Sequence, residues 1–586
     1  VLRLFLAALF SFAVTLSAQT AIFPLKDVKA GMRATGRTVF SGDKVEDFQV
    51  EILGVLENIG PKQSLILGRL SGGPLDRTGV MQGMSGSPVY IGGKLVGAVA
   101  MAFPYSKEPI AGIRPIADML GVGTVPTTPT PLRASVRLDE KDLTRGLPRP
   151  EAAMAGEARM TDIATPISFG GFTRNALEYF APQLRSLGLE PRQGVTGGGR
   201  LGPGMGSPAK LQPGSMISVQ LMSGDLSIGA DGTVTHIDGN KIYAFGHRFL
   251  SIGSTALPFA RAEVLTLLPA LNVSFKLSSA REWMGTIFQD RNTAVAGELG
   301  RKSDLVPVAV NLKRAGRTES YRMQMVADPL LSPLLMQMAV FSAIDATERT
   351  VGAGTYRVSG QIEFHNAPAP IKLSNMYSAD NGSAALVALS TAIPLAYVMQ
   401  SGFGGLKLAR VSLDMEAYDD KRQVQIDSVW AGRRTVRPGE TVDLSVALVG
   451  ENGVESTRRV QYLVPDGTPP GPLFFTVADG TITNFAEIRQ IIGVVPRSPQ
   501  QVISTVNSLR GNTRAYVRVW RPDAAFQLQG EDFPDPPASA ALILAGPQSA
   551  LAGMQQTRNS KLAEIEVDAG DVVVSGSRTI QVEVKE

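Results

Sequence analysis

At 586 residues the chain is longer than one hydrophobic core can organise, so several domains are expected. Its 61 glycines, 38 prolines and 6% aromatic content favour short strands joined by tight turns over long helices, and the fold class expected is mainly β. The 57 basic residues nearly balance the 53 acidic ones and are scattered, which argues against a nucleic-acid-binding face, while the absence of cysteine excludes disulfides, thiolate metal sites and a cysteine nucleophile. The only histidines, His236, His247 and His365, offer no pair at metal-ligand spacing, so neither a metal nor a cofactor is expected.

The N-terminus carries Arg3, an apolar run over residues 4–14 and the small residues Ser17 and Ala18. This is the layout of a secretory signal peptide over residues 1–18, too short to span a bilayer. Cleavage near Ala18 predicts a bacterial protein that is periplasmic or secreted, with no stable membrane span afterwards.

Residues 22–124 read as a strand-rich first domain. Phe48, Val50 and Ile52 alternate with polar neighbours and share one buried face. Gly92-Gly93, set between Val89-Tyr90-Ile91 and Lys94-Leu95-Val96, predicts a tight hairpin, because both turn positions need positive φ. A Thr/Pro stretch over 125–131 opens a connecting segment assigned to 125–205. That segment includes the glycine-rich residues 194–206, which lack the Gly-Lys-Ser/Thr ending of a phosphate loop and read as a flexible loop.

A second β domain is assigned to residues 206–340, with a hairpin turning at Asp238-Gly239-Asn240 and delivering His247. Residues 341–410 read as an α/β connecting region, in which the apolar run 384–399, interrupted by Pro394, is a packed helix or a buried strand pair. Short strands with turn markers suggest an immunoglobulin-like sandwich over 411–483. The remainder, 484–586, reads as mixed, with one helix signalled by Ser498 as N-cap, Pro499 behind it, and Val502, Ile503, Val506 and Leu509 at helical spacing.

Chemistry concentrates in Gln82-Gly83-Met84-Ser85-Gly86-Ser87-Pro88. A serine on a glycine-flanked turn is presented to substrate, and small neighbours allow a carbonyl close to backbone N–H groups; Gly83 and Ser85 are the natural oxyanion donors. This segment and the following Gly-Lys-Leu-Val-Gly-Ala-Val resemble the nucleophile segment of the SpoIVB serine peptidases, and the turn echoes the Gly-x-Ser-Gly-x-Pro of chymotrypsin-like enzymes. Residues 43–52 are similar to the strand preceding that segment in the family. A second block, 224–249, with Tyr243-Ala244-Phe245-Gly246-His247, resembles the segment that supplies the family's histidine.

The resemblance implies a chymotrypsin-like double β-barrel with Ser85 as nucleophile and His247 as base, followed by the β-sandwich-like C-terminal region with a few helices. In the family the histidine block comes first; here the order is reversed, which a site defined by geometry between two barrels tolerates. For the acid, the family position holds Ser71-Gly72-Gly73, leaving Asp76 or Asp290 as candidates, each of which could equally be a surface charge or, for Asp290, half of an Asp-Arg pair. Ser87 reads as a turn residue, His236 as an exposed strand neighbour and His365 as a loop residue. The function expected is an exported serine endopeptidase acting on specific protein or peptide substrates. The alternative is a non-catalytic envelope binding or scaffold protein on a degenerate peptidase fold.

Overall fold

The computed structural model describes residues 20–103, 106–124, 160–194, 201–347, 352–451, 453–491, 496, 498–523, 525–528, 531–533, 536–546 and 554–586. The expected signal peptide, the Thr/Pro connector and residues 195–200 of the glycine-rich stretch lie outside them.

The chain is mainly β. Strands β1 (Arg33–Ser41), β2 (Lys44–Gly60), β3 (Gln63–Ser71), β4 (Pro88–Ile91), β5 (Lys94–Ala102) and β6 (Ile110–Pro115) pair in the order β4-β1-β2-β3-β6-β5. Because β5 also pairs with β4, the sheet closes into a six-stranded antiparallel barrel. Closure removes both edges and leaves an interior filled by alternating side chains. Phe48, Val50 and Ile52 occupy it together with Leu70, Val89 and Ile113, while Gln49 and Glu51 face solvent, as the period of two requires. Gly92 and Gly93 turn the β4–β5 hairpin at φ 56° and 78°, where a side chain would be strained. A short helix α1 (Leu75–Thr78) leads from β3 to the serine segment, and α2 (Ile116–Leu120) follows β6.

The chain is next described at β7 (Thr161–Asp162), which joins the first barrel at β5, with Met101 opposite Asp162. Then β8 (Thr165–Gly170), α3 (Arg174–Ser186) and β9 (Leu189–Gln193) form a parallel β-α-β unit on the edge of a second sheet. The second half of the expected connecting segment is therefore folded structure. Its composition concealed this because pairing partners lie far along the chain.

Six further strands follow: β10 (Met216–Gly224), β11 (Ser227–Asp238), β12 (Lys241–Ala244), β13 (Gly253–Leu268), β14 (Phe275–Arg291) and β15 (Ala294–Leu299). Their antiparallel pairings run β10-β13-β14-β15-β12-β11 and return to β10, so the hydrogen bonds close a second six-membered ring. The β11–β12 hairpin turns at Gly239, as its sequence predicts. Repeated register shifts between the long strands β13 and β14 bend them round the ring. The two barrels touch through β-bridges Gly42–Val264 and Gln82–Phe275.

The second sheet continues outward from β10 through β17 (Arg317–Val326), β16 (Leu305–Arg314), β20 (Lys407–Tyr418), β18 (Gly354–His365) and β19 (Ile371–Ala379). Helices α4 (Leu331–Thr347) and α5 (Ser383–Met399) pack on it, and the run with Pro394 is thus a helix. Among the described residues no helix is long and apolar enough to cross a membrane.

The C-terminal part is a sandwich of two sheets. One holds β21 (Gln423–Ala431), β23 (Thr441–Gly450), β24 (Glu455–Leu463) and β31 (Val573–Ser575). The other holds β22 (Thr435–Val436), β25 (Gly471–Asp479), β26 (Arg514–Arg521), β30 (Ser560–Asp568) and β32 (Ser577–Val584). They enclose Ile426, Leu444, Leu473, Phe475, Val517 and Val582. The sandwich therefore starts after β20, which belongs to the barrel sheet, and takes strands from beyond residue 483. Helices α6 (Gly480–Ile491) and α7 (Pro499–Asn507) lie between β25 and β26; Ser498 Oγ caps α7 by accepting from Gln501 N at 3.2 Å, and Val502, Ile503 and Val506 are buried. Strands β27 (Ala525–Leu528), β28 (Glu531–Phe533) and β29 (Met554–Thr557) form a small sheet, with α8 (Ala538–Leu544) between the last two.

Candidate active site

Ser85 sits on the turn between α1 and β4, flanked by Gly83 at φ 90° and Gly86 at φ 93°. The neighbouring amides are all engaged: Gln82 N donates to Ser274 O, Met84 N to Met81 O, Gly86 N to Val99 O and Ser87 N to Met84 O. Among the described residues, the Gly83 and Ser85 N–H groups have no protein acceptor. Two uncommitted donors, one on each side of Met84, are what an oxyanion site needs, since they reorganise nothing when charge arrives.

The second barrel holds this turn. Thr233 on β11 donates its N–H to Ser85 O at 2.9 Å and its hydroxyl to Gly83 O at 2.8 Å, while Thr235 Oγ1 donates to Gly86 O at 2.6 Å. Approach is so close that a Cβ on Gly86 would lie 2.0 Å from Thr233 O and 2.6 Å from Phe245 N. Glycine is therefore demanded at 86 by both space and φ.

Lys276, fully buried on β14, lays its stem against Gly83 and donates from Nζ to Thr38 Oγ1 at 2.6 Å, a hydroxyl that also accepts from Ser87 Oγ at 3.0 Å. Among the described residues it has no carboxylate partner within ion-pair distance, and burial pushes its ammonium down to about 7. Ser87 is accordingly a turn residue with a structural bond.

His247 follows β12 through Phe245 at φ 70° and Gly246 at φ 68°. Left-handed backbone is costly for a bulky residue, and Phe245 is held there by N–H donation to Thr233 O and by a ring packed over Gly232. Thr233 thus bonds to the serine turn through its N–H and to the histidine turn through its C=O. This one residue brings the two blocks of sequence together.

His247 is buried, and its Nδ1 lies 2.6 Å from Arg248 O. A carbonyl only accepts, so Nδ1 carries the proton and Nε2 holds the lone pair. Burial lowers the imidazole's pKa, and Arg114 and Arg248 lower it further; Asp162 and the bond to Arg248 O work the other way. The ring is neutral at pH 7, the form a general base requires. Among the described residues neither Ser85 Oγ nor His247 Nε2 has a hydrogen-bond partner, so the two atoms, both buried, are not bonded to one another.

The expected acids are placed elsewhere. Asp76 is exposed on α1. Asp290 is buried, but its carboxylate accepts from Phe249 N at 2.9 Å, Leu250 N at 2.7 Å and Ile252 N at 3.3 Å. It anchors the loop that follows His247 and makes no ion pair with Arg291. Burial pushes its carboxyl up to about 6 against the pull of those amides, leaving it ionised at pH 7. The acid that acts on His247 electrostatically is Asp162 on β7, which no local motif marks in the sequence. His236 is half-buried and stacks on Tyr243 rather than lying exposed, because the β11–β12 pairing sets the rings face to face. His365 ends strand β18 and is exposed.

A cavity of about 610 Å³ opens beside His247, lined among others by Arg114, Met160, Asp162, Arg185, Leu187 and Arg248. Its size suits a substrate side chain and adjoining backbone.

Residues 13–114 match the family model described as SpoIVB peptidase S55. The matched stretch includes the first barrel and Ser85 and ends at Arg114, short of His247. It is similar to a peptidase of the serine type. No curated protein and no solved structure matches the chain.

Proposed function

We propose that this protein is an exported serine endopeptidase that cuts a restricted set of protein substrates, with Ser85 as nucleophile and His247 as base. One observation carries the reading: the family-matched serine turn keeps the Gly83 and Ser85 N–H groups free of acceptors among the described residues and is clamped by Thr233 to the turn bearing His247. In the reaction His247 Nε2 takes the Ser85 Oγ proton as oxygen attacks the scissile carbonyl. The two amides receive the oxyanion, and the imidazolium, stabilised by Asp162, returns the proton to the leaving amine. Water then hydrolyses the acyl-enzyme with His247 again as base. Both reactive atoms are buried and unbonded among the described residues, so the substrate must open the site before the serine and imidazole can form their hydrogen bond. Export rests on the apolar run 4–14 and the small residues behind it.

A second reading, a binding or scaffold protein on a peptidase fold, is favoured by that same enclosure and by the absence of a Ser85–His247 bond. Labelling the purified protein with a serine-directed fluorophosphonate separates the two. Covalent labelling that is lost in Ser85→Ala and His247→Ala establishes an activated serine. An unlabelled, well-folded wild type assigns the scaffold role.

A further inference from the structure

Arg114, on β6 at the end of the first barrel, is 5% exposed, yet its five N–H donors are almost unused. Among the described residues its one hydrogen bond is Nη1 to Gln63 Oε1 at 3.4 Å, and its buried Nε has no partner. Among the described residues no carboxylate lies within 4.0 Å of it. Asp118 and Asp162 are the acids that face the region, Asp118 being held at longer range with one carboxylate oxygen itself buried and unpartnered. A buried guanidinium so poorly satisfied is expensive, and natural interiors complete such a group with an anion.

Arg114 lines the cavity that His247 also lines. Arg248 borders the same space, whereas Arg185 is already paired with Glu190 at 3.2 Å. Met160 and Leu187 supply apolar wall beside these cations. A guanidinium with donors to spare, lining a partly apolar cavity, matches a carboxylate carried on a short methylene stem.

We infer that this cavity is a substrate subsite for a carboxylate, held by Arg114, at a residue next to the bond that Ser85 attacks. The inference rests on the serine-peptidase reading and gives it a substrate class. The carboxylate belongs to an acidic side chain or to the substrate's own C-terminus; both present the same two oxygens. Binding has a catalytic consequence. Arg114 opposes protonation of His247, and an anion on Arg114 cancels that opposition when the imidazolium forms. Acidic substrates therefore gain in kcat as well as KM.

The test uses protection of Ser85 from the fluorophosphonate by three peptides: Ac-Ala-Ala-Glu-amide, Ac-Ala-Ala-Gln-amide, and Ac-Ala-Ala-Gln with a free C-terminus. In wild type, one of the two acids protects at about tenfold lower concentration than the neutral amide, as a charge-assisted hydrogen bond predicts, and which acid it is identifies the source. In Arg114→Gln the preference falls below about twofold. Equal protection by all three peptides in wild type overturns the subsite, and that comparison needs no variant to fold. If wild type does not label at all, the peptidase reading fails instead. The same peptides are then titrated into the unlabelled protein by NMR, where an Arg114-dependent preference for an acid sustains the carboxylate site, and no preference removes it.

Discussion

The serine turn and the histidine turn are both tight and glycine-bearing, but they are held in opposite ways. Around Ser85 the turn uses glycines at 83 and 86 and places its remaining carbonyls on Thr233 and Thr235, neutral hydroxyl and amide donors from the facing barrel. Around His247 a phenylalanine is forced into left-handed backbone, and the following loop hangs on one buried carboxylate, Asp290 near the end of β14. The comparison teaches that the serine turn is preorganised by shape and the histidine turn by charge. The first should fail through steric substitutions, the second through loss of an ion.

The largest effect is expected at Asp290→Ala, which strands three backbone N–H groups in a buried loop and costs about 3–5 kcal/mol. Urea unfolding measures the loss, and fluorophosphonate labelling should fall with it; a variant as stable as wild type would show that charge does not hold the histidine turn. Gly86→Ala comes next. Its Cβ meets Thr233 O at 2.0 Å in a backbone of φ 93°, predicting roughly 2–3 kcal/mol of destabilisation and a serine turn pushed off the second barrel. Labelling should drop more steeply than the melting temperature does.

Thr233→Val removes only the hydroxyl bond to Gly83 O, keeping the backbone bonds on both sides. About 1–2 kcal/mol should be lost, and the labelling rate should fall while Asp290-dependent features of the loop persist. Smallest per step is a pH effect from Lys276. Burial takes its pKa from 10.5 unfolded to about 7 folded, so between those values the unfolded chain holds a proton that the folded chain lacks. Stability should rise with pH across that window, by at most about 1.4 kcal/mol per unit, with the cost of the buried ammonium fully present below about pH 7. Lys276→Met should flatten the slope in pH-dependent urea melts; an unchanged slope would mean that Lys276 is not the titrating group.

What was legible along the chain was what short-range rules encode. Phe48, Val50 and Ile52 announced a buried strand face, Gly92-Gly93 and Asp238-Gly239-Asn240 announced hairpins, and Ser498-Pro499 announced a helix start. Each depends on neighbours within a few positions, where backbone sterics and side-chain period act. The serine turn was legible for the same reason, since its glycines and its free amides belong to one heptapeptide.

Tertiary structure decided the rest. Closure of each barrel requires β5 to find β4 and β10 to find β11, while β20 joins the barrel sheet and leaves the sandwich to β21–β26 and β30–β32; a period of two marks a strand without naming its partner. Thr233, Asp162, Lys276 and Arg114 carry no local motif, and their roles come from what faces them across space: a glycine carbonyl, an imidazole, a hydroxyl and an open cavity. Asp290 shows the limit most clearly. The sequence offers it as a candidate acid, but burial beside three backbone amides makes it the anchor of the loop, because a desolvated carboxylate binds the donors nearest to it.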